Sequence, residues 1–443
     1  MVVSVVHVSK GPMAGPFLLD RRLVEIITAY LFHAGGHEDP GRLKANEGKS
    51  FQGSIVLGMG FTFDDTDTKA VATPVAEIER LIAKDPHNRE RIFPYIGGEE
   101  VNDSPTHAHH RYVINFEDFP LRRADLGESW AYASQEQRKE WLRDGVVPLD
   151  YPDPVAADWP DLLDIVERKV KPDRLTDNRE NYRRYWWQYA ERRPGMARAL
   201  AGKARFLSNP LYSPHLSFVF LPPSIVIANK LSAIPFESYA AFAVLQSRPH
   251  EVWARLFSAT LKDDLAYAPT DCFETFPFPL GFDSTARLER CGQEYYEARG
   301  RIMRNNEKGL TTIYNWFHDP NCACPDIPGL RELHDAMDRA VLDSYGWTDI
   351  HPRCQFIPEF EDEEQEDEDG RPQRKRFRYR WPDEDRDEVL ARLLALNRER
   401  AHAEGQTLDA SPEPPADSDG KKRGRVADKH RSLSLLPQGK KEA

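Results

Sequence analysis

Between Tyr182 and Tyr189, five aromatic residues (Tyr182, Tyr185, Trp186, Trp187 and Tyr189) interleave with Arg183, Arg184 and Gln188, and Arg192, Arg193 and Arg198 follow directly. A guanidinium is a planar fork that matches phosphate oxygens and base edges, so this pattern favours holding a polyanion. Large aromatics are mostly buried, and Trp186 and Trp187 are expected in the core beneath a helix. Arg183, Arg184, Arg192, Arg193 and Lys49 are assigned to phosphate-backbone contacts. A second set, Lys203, Arg205, His215, Ser217 and Lys230, flanks or lies between two apolar runs, 216–221 and 224–228, expected to pair as strands. Loops projecting from a rigid sheet can reach base edges in a groove, which makes these five the candidate base readers.

Charge supports a local polyanion surface. The 443 residues carry 60 Lys+Arg against 72 Asp+Glu, a net charge of -12. Between Asn181 and Thr260, however, ten Lys/Arg face only Glu191, Glu237 and Glu251, so this segment carries +7 and the rest -19. An acidic chain with one basic, aromatic-rich segment is a candidate for binding a polyanion through that local surface.

Other constellations are weaker. Gly58-Met59-Gly60 imitates a cofactor-approach turn, and Asn209-Pro210-Leu211-Tyr212 imitates the Asn-Pro-Pro-Tyr turn that grips an adenine amine. No acidic ribose ligand follows the first, and Leu211 replaces the stiffening proline of the second. No catalytic or cofactor-binding residue is assigned to this chain. His33, His37, His107, His109 and His110 lack the spacing of a zinc motif, and Cys322-Ala323-Cys324 has no second half, so no metal site is assigned. The five cysteines are odd in number and irregularly spaced, which favours reduced thiols.

The elements that must position these residues are mixed. Strands are expected at 54–63, 111–116, 216–221 and 224–228, and helices at 74–84, 159–171 and 236–256. A short strand is expected in residues 1–10. After Pro279 the apolar period becomes helical around Leu288–Ile302, Leu330–Val341 and Val389–Leu396, with Gly346 as a stop for the second helix. This gives an α+β class: a mixed sheet-and-helix domain over 40–280, a small antiparallel helical bundle over 281–404 with an acidic loop at 361–369, and a disordered tail at 405–443. No run is long and apolar enough for a membrane span, and a cytoplasmic protein is expected.

Several phrases together resemble one family. KSFQGSIVLGMGF (49–61), FPYIGGEEVN (93–102), RYVINF (111–116), VKPDR (170–174), YWWQYAERRPG (185–195), HLSFVFLP (215–222), LQSRPHEVWAR (245–255), LKDDLAYAPTDCFETFPFP (261–279) and LRELHDAMDRAVLDSYGW (330–347) are similar to the carboxy-terminal half of MmeI-like type IIL restriction-modification proteins, adenine-specific DNA methyltransferases fused to a target recognition domain. The resemblance implies that 40–280 is the DNA target recognition domain and 281–404 the helical tail. It also implies that residues 1–39 are the last methyltransferase strand and a linker. Double-stranded DNA and a catalytic methyltransferase chain or domain are then the implied partners, with S-adenosylmethionine bound by the catalytic partner. The alternatives are a self-sufficient methyltransferase or His-metal nuclease, and a structural subunit of a phage-defence complex.

Overall fold

A computed structural model describes residues 15–19, 22–33, 37–261, 264–359 and 377–405 of the chain. The expected strand in residues 1–10, the acidic loop 361–369 and the tail beyond Gly405 lie outside the described residues.

β-branched and aromatic residues build the sheet at the centre of the first half. Strand Arg111–Ile114 runs antiparallel to Ile92–Ile96 on one side (Phe93 opposite Val113) and to Thr62–Phe63 on the other, while Val226–Ile227 joins Tyr95–Ile96 in parallel. Phe63, Val113 and Ile114 lie in one buried core with Trp159 and with Leu162 and Val166 of the Pro160–Lys169 helix, and Trp186, Trp187 and Tyr189 complete it. Both tryptophans are therefore core residues, as their size predicts.

Two sequence expectations fail here for stereochemical reasons. The apolar run 54–63 is not one strand. Leu57 has φ +49° and Gly58 φ +138°, a 3-10 turn occupies Met59–Phe61, and only Thr62–Phe63 continues as strand. Gly60 lies so close to the end of the Pro160–Lys169 helix that a Cβ would stand 2.6 Å from Lys169 Cβ, which fixes the turn in place. Runs 216–221 and 224–228 do not pair with each other either. Pro222-Pro223 between them supplies no N–H for a hairpin, and Val219–Leu221 pairs with Phe206–Ser208 while Val226–Ile227 leaves for the first sheet.

A second ladder is assembled from distant segments. Ser232–Ala233 pairs with Phe51–Gln52, and its neighbours Leu231 and Ile234 bridge Pro210 and Leu207. Tyr212–Ser213 continues to Asp264–Ala266, which closes on Ala259–Leu261. A small insert, with Arg122–Ala124 parallel to Val146–Pro148 and the helix Gln135–Asp144, encloses its own cluster of Trp141, Val147 and Val155.

The expected helix over 236–256 breaks at Ser247, whose ψ of 161° is extended, because Pro249 opens a new helix, Arg248–Phe257, after Tyr239–Gln246. The three helices after Pro279 are present as Ala286–Asn306, Ile327–Ser344 and Asp383–Ala403, and Gly346 (φ +78°) ends the second. A fourth, Leu310–His318, was hidden by its short length. Described residues fall in one compact unit, and a single core runs across position 280 through Phe242, Tyr295, Met337 and Leu393. Gly292 allows close crossing, since a Cβ there would meet Tyr239 O at 2.1 Å. Far along the chain, buried Asn397 clamps both backbone groups of Gly41 at 2.8 Å and accepts a place beside Thr275, donating to its carbonyl at 2.6 Å. Helices and small sheets together make the fold α+β. No helix among the described residues is long and apolar enough to cross a membrane.

Candidate nucleic-acid interface

The arginine-aromatic segment is helical only over Glu180–Arg184; beyond it the chain turns so that its rings enter the core. Trp187 Nε1 donates to Phe119 O (3.0 Å) and Tyr189 OH to Ile114 O (2.9 Å), satisfying the polar edges of buried rings. Arg183 reaches back to Asp177 O at 2.5 Å, and exposed Arg184 pairs with Asp144 of the insert.

Arg192 and Arg193 sit elsewhere, because Glu191 pairs through its backbone with Ile55. Arg192 is exposed and donates to Gln188 Oε1 (2.9 Å). Arg193, held in the left-handed region at φ +58°, directs its fork at Gly53 O (3.4 Å) and Gln52 Oε1 (3.1 Å). Gln52 in turn donates to Asn229 O at 2.7 Å, next to exposed Lys230, whose carbonyl receives Leu211 N at 2.8 Å. Lys49 is exposed just ahead of the Phe51–Gln52 strand, and Tyr212, 51% exposed, follows Leu211. A strip along the ladder therefore carries Arg193, Gln52, Asn229, Lys230 and Tyr212, with Arg192 and Lys49 near it in sequence.

Of the ten residues singled out from sequence, this strip unites Lys49, Arg192, Arg193 and Lys230. It does not include the other six. Lys203 pairs with Glu237 (3.0 Å), and Arg205 donates to Glu237 O (2.7 Å) while its guanidinium lies 3.9 Å from the Phe220 ring centroid and 4.3 Å from that of Tyr239. His215 and Ser217 are buried. His215 Nε2 is 2.8 Å from Asn315 Oδ1 and its ring stacks on His318, where burial, reinforced by the Arg378 charge, lowers its pKa to about 3. Neither side chain is presented to a groove. Their polar type suggested loops, but the strand Val219–Leu221 draws the preceding residues under the Leu310–His318 helix. Sequence reasoning missed Gln52, Asn229 and Tyr212. The Gln52–Asn229 contact joins positions 177 residues apart, and no local pattern signals it.

The imitation motifs serve packing. Asn209 is buried, takes the Ser232 hydroxyl on its Oδ1 and donates to Pro210 O (3.1 Å), so both ends of its amide are engaged. The histidines disperse: His33 contacts Glu388 (3.1 Å), His37 accepts from Ala29 N (3.2 Å), and His107 meets Val101 O (3.0 Å), its pKa lowered to about 4 by burial. Asp335, Asp338 and Cys354 do have ligand atoms within 4.8 Å of one another. Asp338 is already engaged by Arg248 N (2.7 Å) and His334 Nδ1 (3.1 Å), and burial raises the Cys354 thiol away from the thiolate a metal needs.

Residues 174–280 match the family model described as MmeI, target recognition domain. Among solved structures, the type IIL restriction-modification enzyme MmeI in complex with DNA shares 15% identity over 86% of this chain and 39% of that one, with a TM-score of 0.49. The chain thus spans about two fifths of that protein's length. No curated protein matches it.

Proposed function

We propose that the chain binds duplex DNA and reads its sequence as the target recognition part of a restriction-modification protein, with adenine methylation carried out by a catalytic domain or partner chain that holds S-adenosylmethionine. The observation that carries this reading is the strip Lys49–Gln52–Arg193–Asn229–Lys230, most of it inside the segment that matches a target recognition domain. Its cations suit phosphate oxygens, which fix position and register. Its two amides suit base edges: a carboxamide offers one donor and one acceptor in the plane that matches adenine N7 and N6 in the major groove. The partly exposed Gln52 amide, unlike buried Asn209, is oriented by Arg193 and the Asn229 main-chain carbonyl and keeps its second Nε2 hydrogen and second Oε1 lone pair for a base edge, so little side-chain entropy remains to be lost on binding.

The test is a fluorescence-anisotropy titration of the full chain with duplex DNA across a salt series. If Lys49, Arg192, Arg193 and Lys230 each neutralise a phosphate, the slope of log K against log salt is about -3 to -4. Absence of duplex binding at low salt overturns the reading. Methyl transfer to DNA by the purified chain alone overturns the division of labour.

A further inference from the structure

Residues 55–60 form a loop in which two long apolar side chains face water: Leu57 is 45% exposed and Met59 39%. The backbone there is unfavourable for a side-chain-bearing residue, since Leu57 adopts a left-handed φ of +49°. The loop is nonetheless tightly held. Ile55 and Glu191 exchange two backbone hydrogen bonds of 3.1 Å, Thr62 Oγ1 donates to Met59 O (2.6 Å), and Gly60 abuts the backbone of Lys169. Strain retained in a rigid, exposed apolar tip points to use of the tip itself, because folding gains nothing from wetting these side chains.

The surroundings indicate what the tip meets. Arg174, itself buried, donates to Val56 O (2.9 Å) directly beneath it and has no carboxylate partner among the described residues; its Nε and Nη1 are buried without a hydrogen bond. Lys171, which follows Val170 beside Gly58, is paired with Glu167 (2.7 Å), while the partly exposed Arg193 fork grips Gly53 at the base of the loop with Glu191 at 3.8 Å. An apolar tip set over an unneutralised cation and beside an arginine fork suits a polyanion with a stack of flat apolar faces rather than an apolar protein surface.

We propose that the Leu57–Met59 tip enters the base stack of duplex DNA as a wedge, opening one base step, with Arg193 beside a flanking phosphate and buried Arg174 adding positive potential beneath the tip. The proposal rests on the DNA-binding reading above. Leu and Met side chains inserted in this way unstack a step and kink the duplex by about 20–90°.

The experiment uses the full chain and a duplex recovered by selection from a random pool, labelled at its ends for energy transfer and scanned with 2-aminopurine. The parent should shorten the end-to-end distance and brighten 2-aminopurine at one step. Leu57→Asn with Met59→Gln keeps a residue tolerant of the left-handed backbone and a side chain of equal length, so folding is retained and checked by thermal melting. This variant should lose both signals and about tenfold in affinity, with the salt slope unchanged. A parent that binds the duplex but leaves it straight and stacked overturns the wedge alone. So does a variant that bends and unstacks DNA like the parent, the outcome expected if the tip docks a protein. A parent that binds no duplex overturns the DNA-binding reading and the wedge with it.

Discussion

Two polar regions of this molecule contain the same residue types and differ in where the charge ends. In the strip along the Phe51–Gln52 ladder, Lys49, Arg192 and Lys230 are exposed, Arg192 donates to the Gln188 amide, and Arg193, held by Gln52, has the Glu191 carboxylate only at 3.8 Å. In the network around Arg248, the guanidinium pairs with Glu251 in the interior, Arg255 reaches the same carboxylate (2.9 Å), and Arg378 lies 3.9 Å away beside buried His215 and His318. Burial alone would raise the Glu251 pKa, yet Arg248, Arg255 and Arg378 hold this carboxyl well below its ordinary value. The first region keeps positive potential available to a ligand. The second satisfies its charges internally and locks the hairpin Gln355–Pro358/Phe377–Arg380 onto the core, since Arg248 also donates to Tyr379 O (2.5 Å). Basicity in a sequence is therefore no guide to a site until the partners of each cation are known.

The sharpest separation of the two regions comes from Glu251→Gln. Removing one partner of a buried ion pair should destabilise the fold by about 3–5 kcal/mol, read as a lowered urea midpoint, while the folded fraction keeps the parent's DNA affinity. A loss of affinity without loss of stability would erase the distinction.

At the strip, Asn229→Ala should alter the preferred base at one position of a selected site, by about 1–3 kcal/mol of discrimination, with melting unchanged. Unaltered preference in a binding-site selection would reassign base reading to other residues.

Acid should weaken the buried region before the strip. His215, at about 3, and His250, at about 4, have folded pKa values below the unfolded value of about 6.5. Burial is the largest cause for both. Depressed in the folded state, they contribute stability that is complete above about pH 6.5 and declines as pH falls toward 4, at about 1.4 kcal/mol per pH unit for each imidazole. His215→Gln should flatten part of this slope in urea midpoints taken across that range.

The smallest effect is that of Lys230→Ala, which should weaken every duplex about equally and shallow the salt slope by about 0.9. A changed sequence preference would move Lys230 into the reading group.

Much of the architecture was legible because it is written in local periodicity. The apolar repeats of Ala286–Asn306, Ile327–Ser344 and Asp383–Ala403, and the β-branched run Arg111–Ile114, required no knowledge of partners. What was illegible depends on pairing across the chain. Pro222-Pro223 sent two neighbouring strands to different sheets, and His215, polar and flanked by Ser213 and Ser217, gave no sign that Asn315 would receive it in the interior. The candidate strip shows the same limit. Its cations were visible as residue types, but Gln52 and Asn229 acquired meaning only once the ladder set the Gln52 amide against the Asn229 main-chain carbonyl.

The Asn397 clamp has a consequence for biogenesis. Its partner Gly41 precedes it by 356 positions. At roughly 5–20 residues per second, the ribosome makes that partner wait on the order of 20–70 s for the amide that closes it. During that interval Gly41 has no Asn397 amide to pair with, so release of the Asp383–Ala403 helix is the step that closes this clamp.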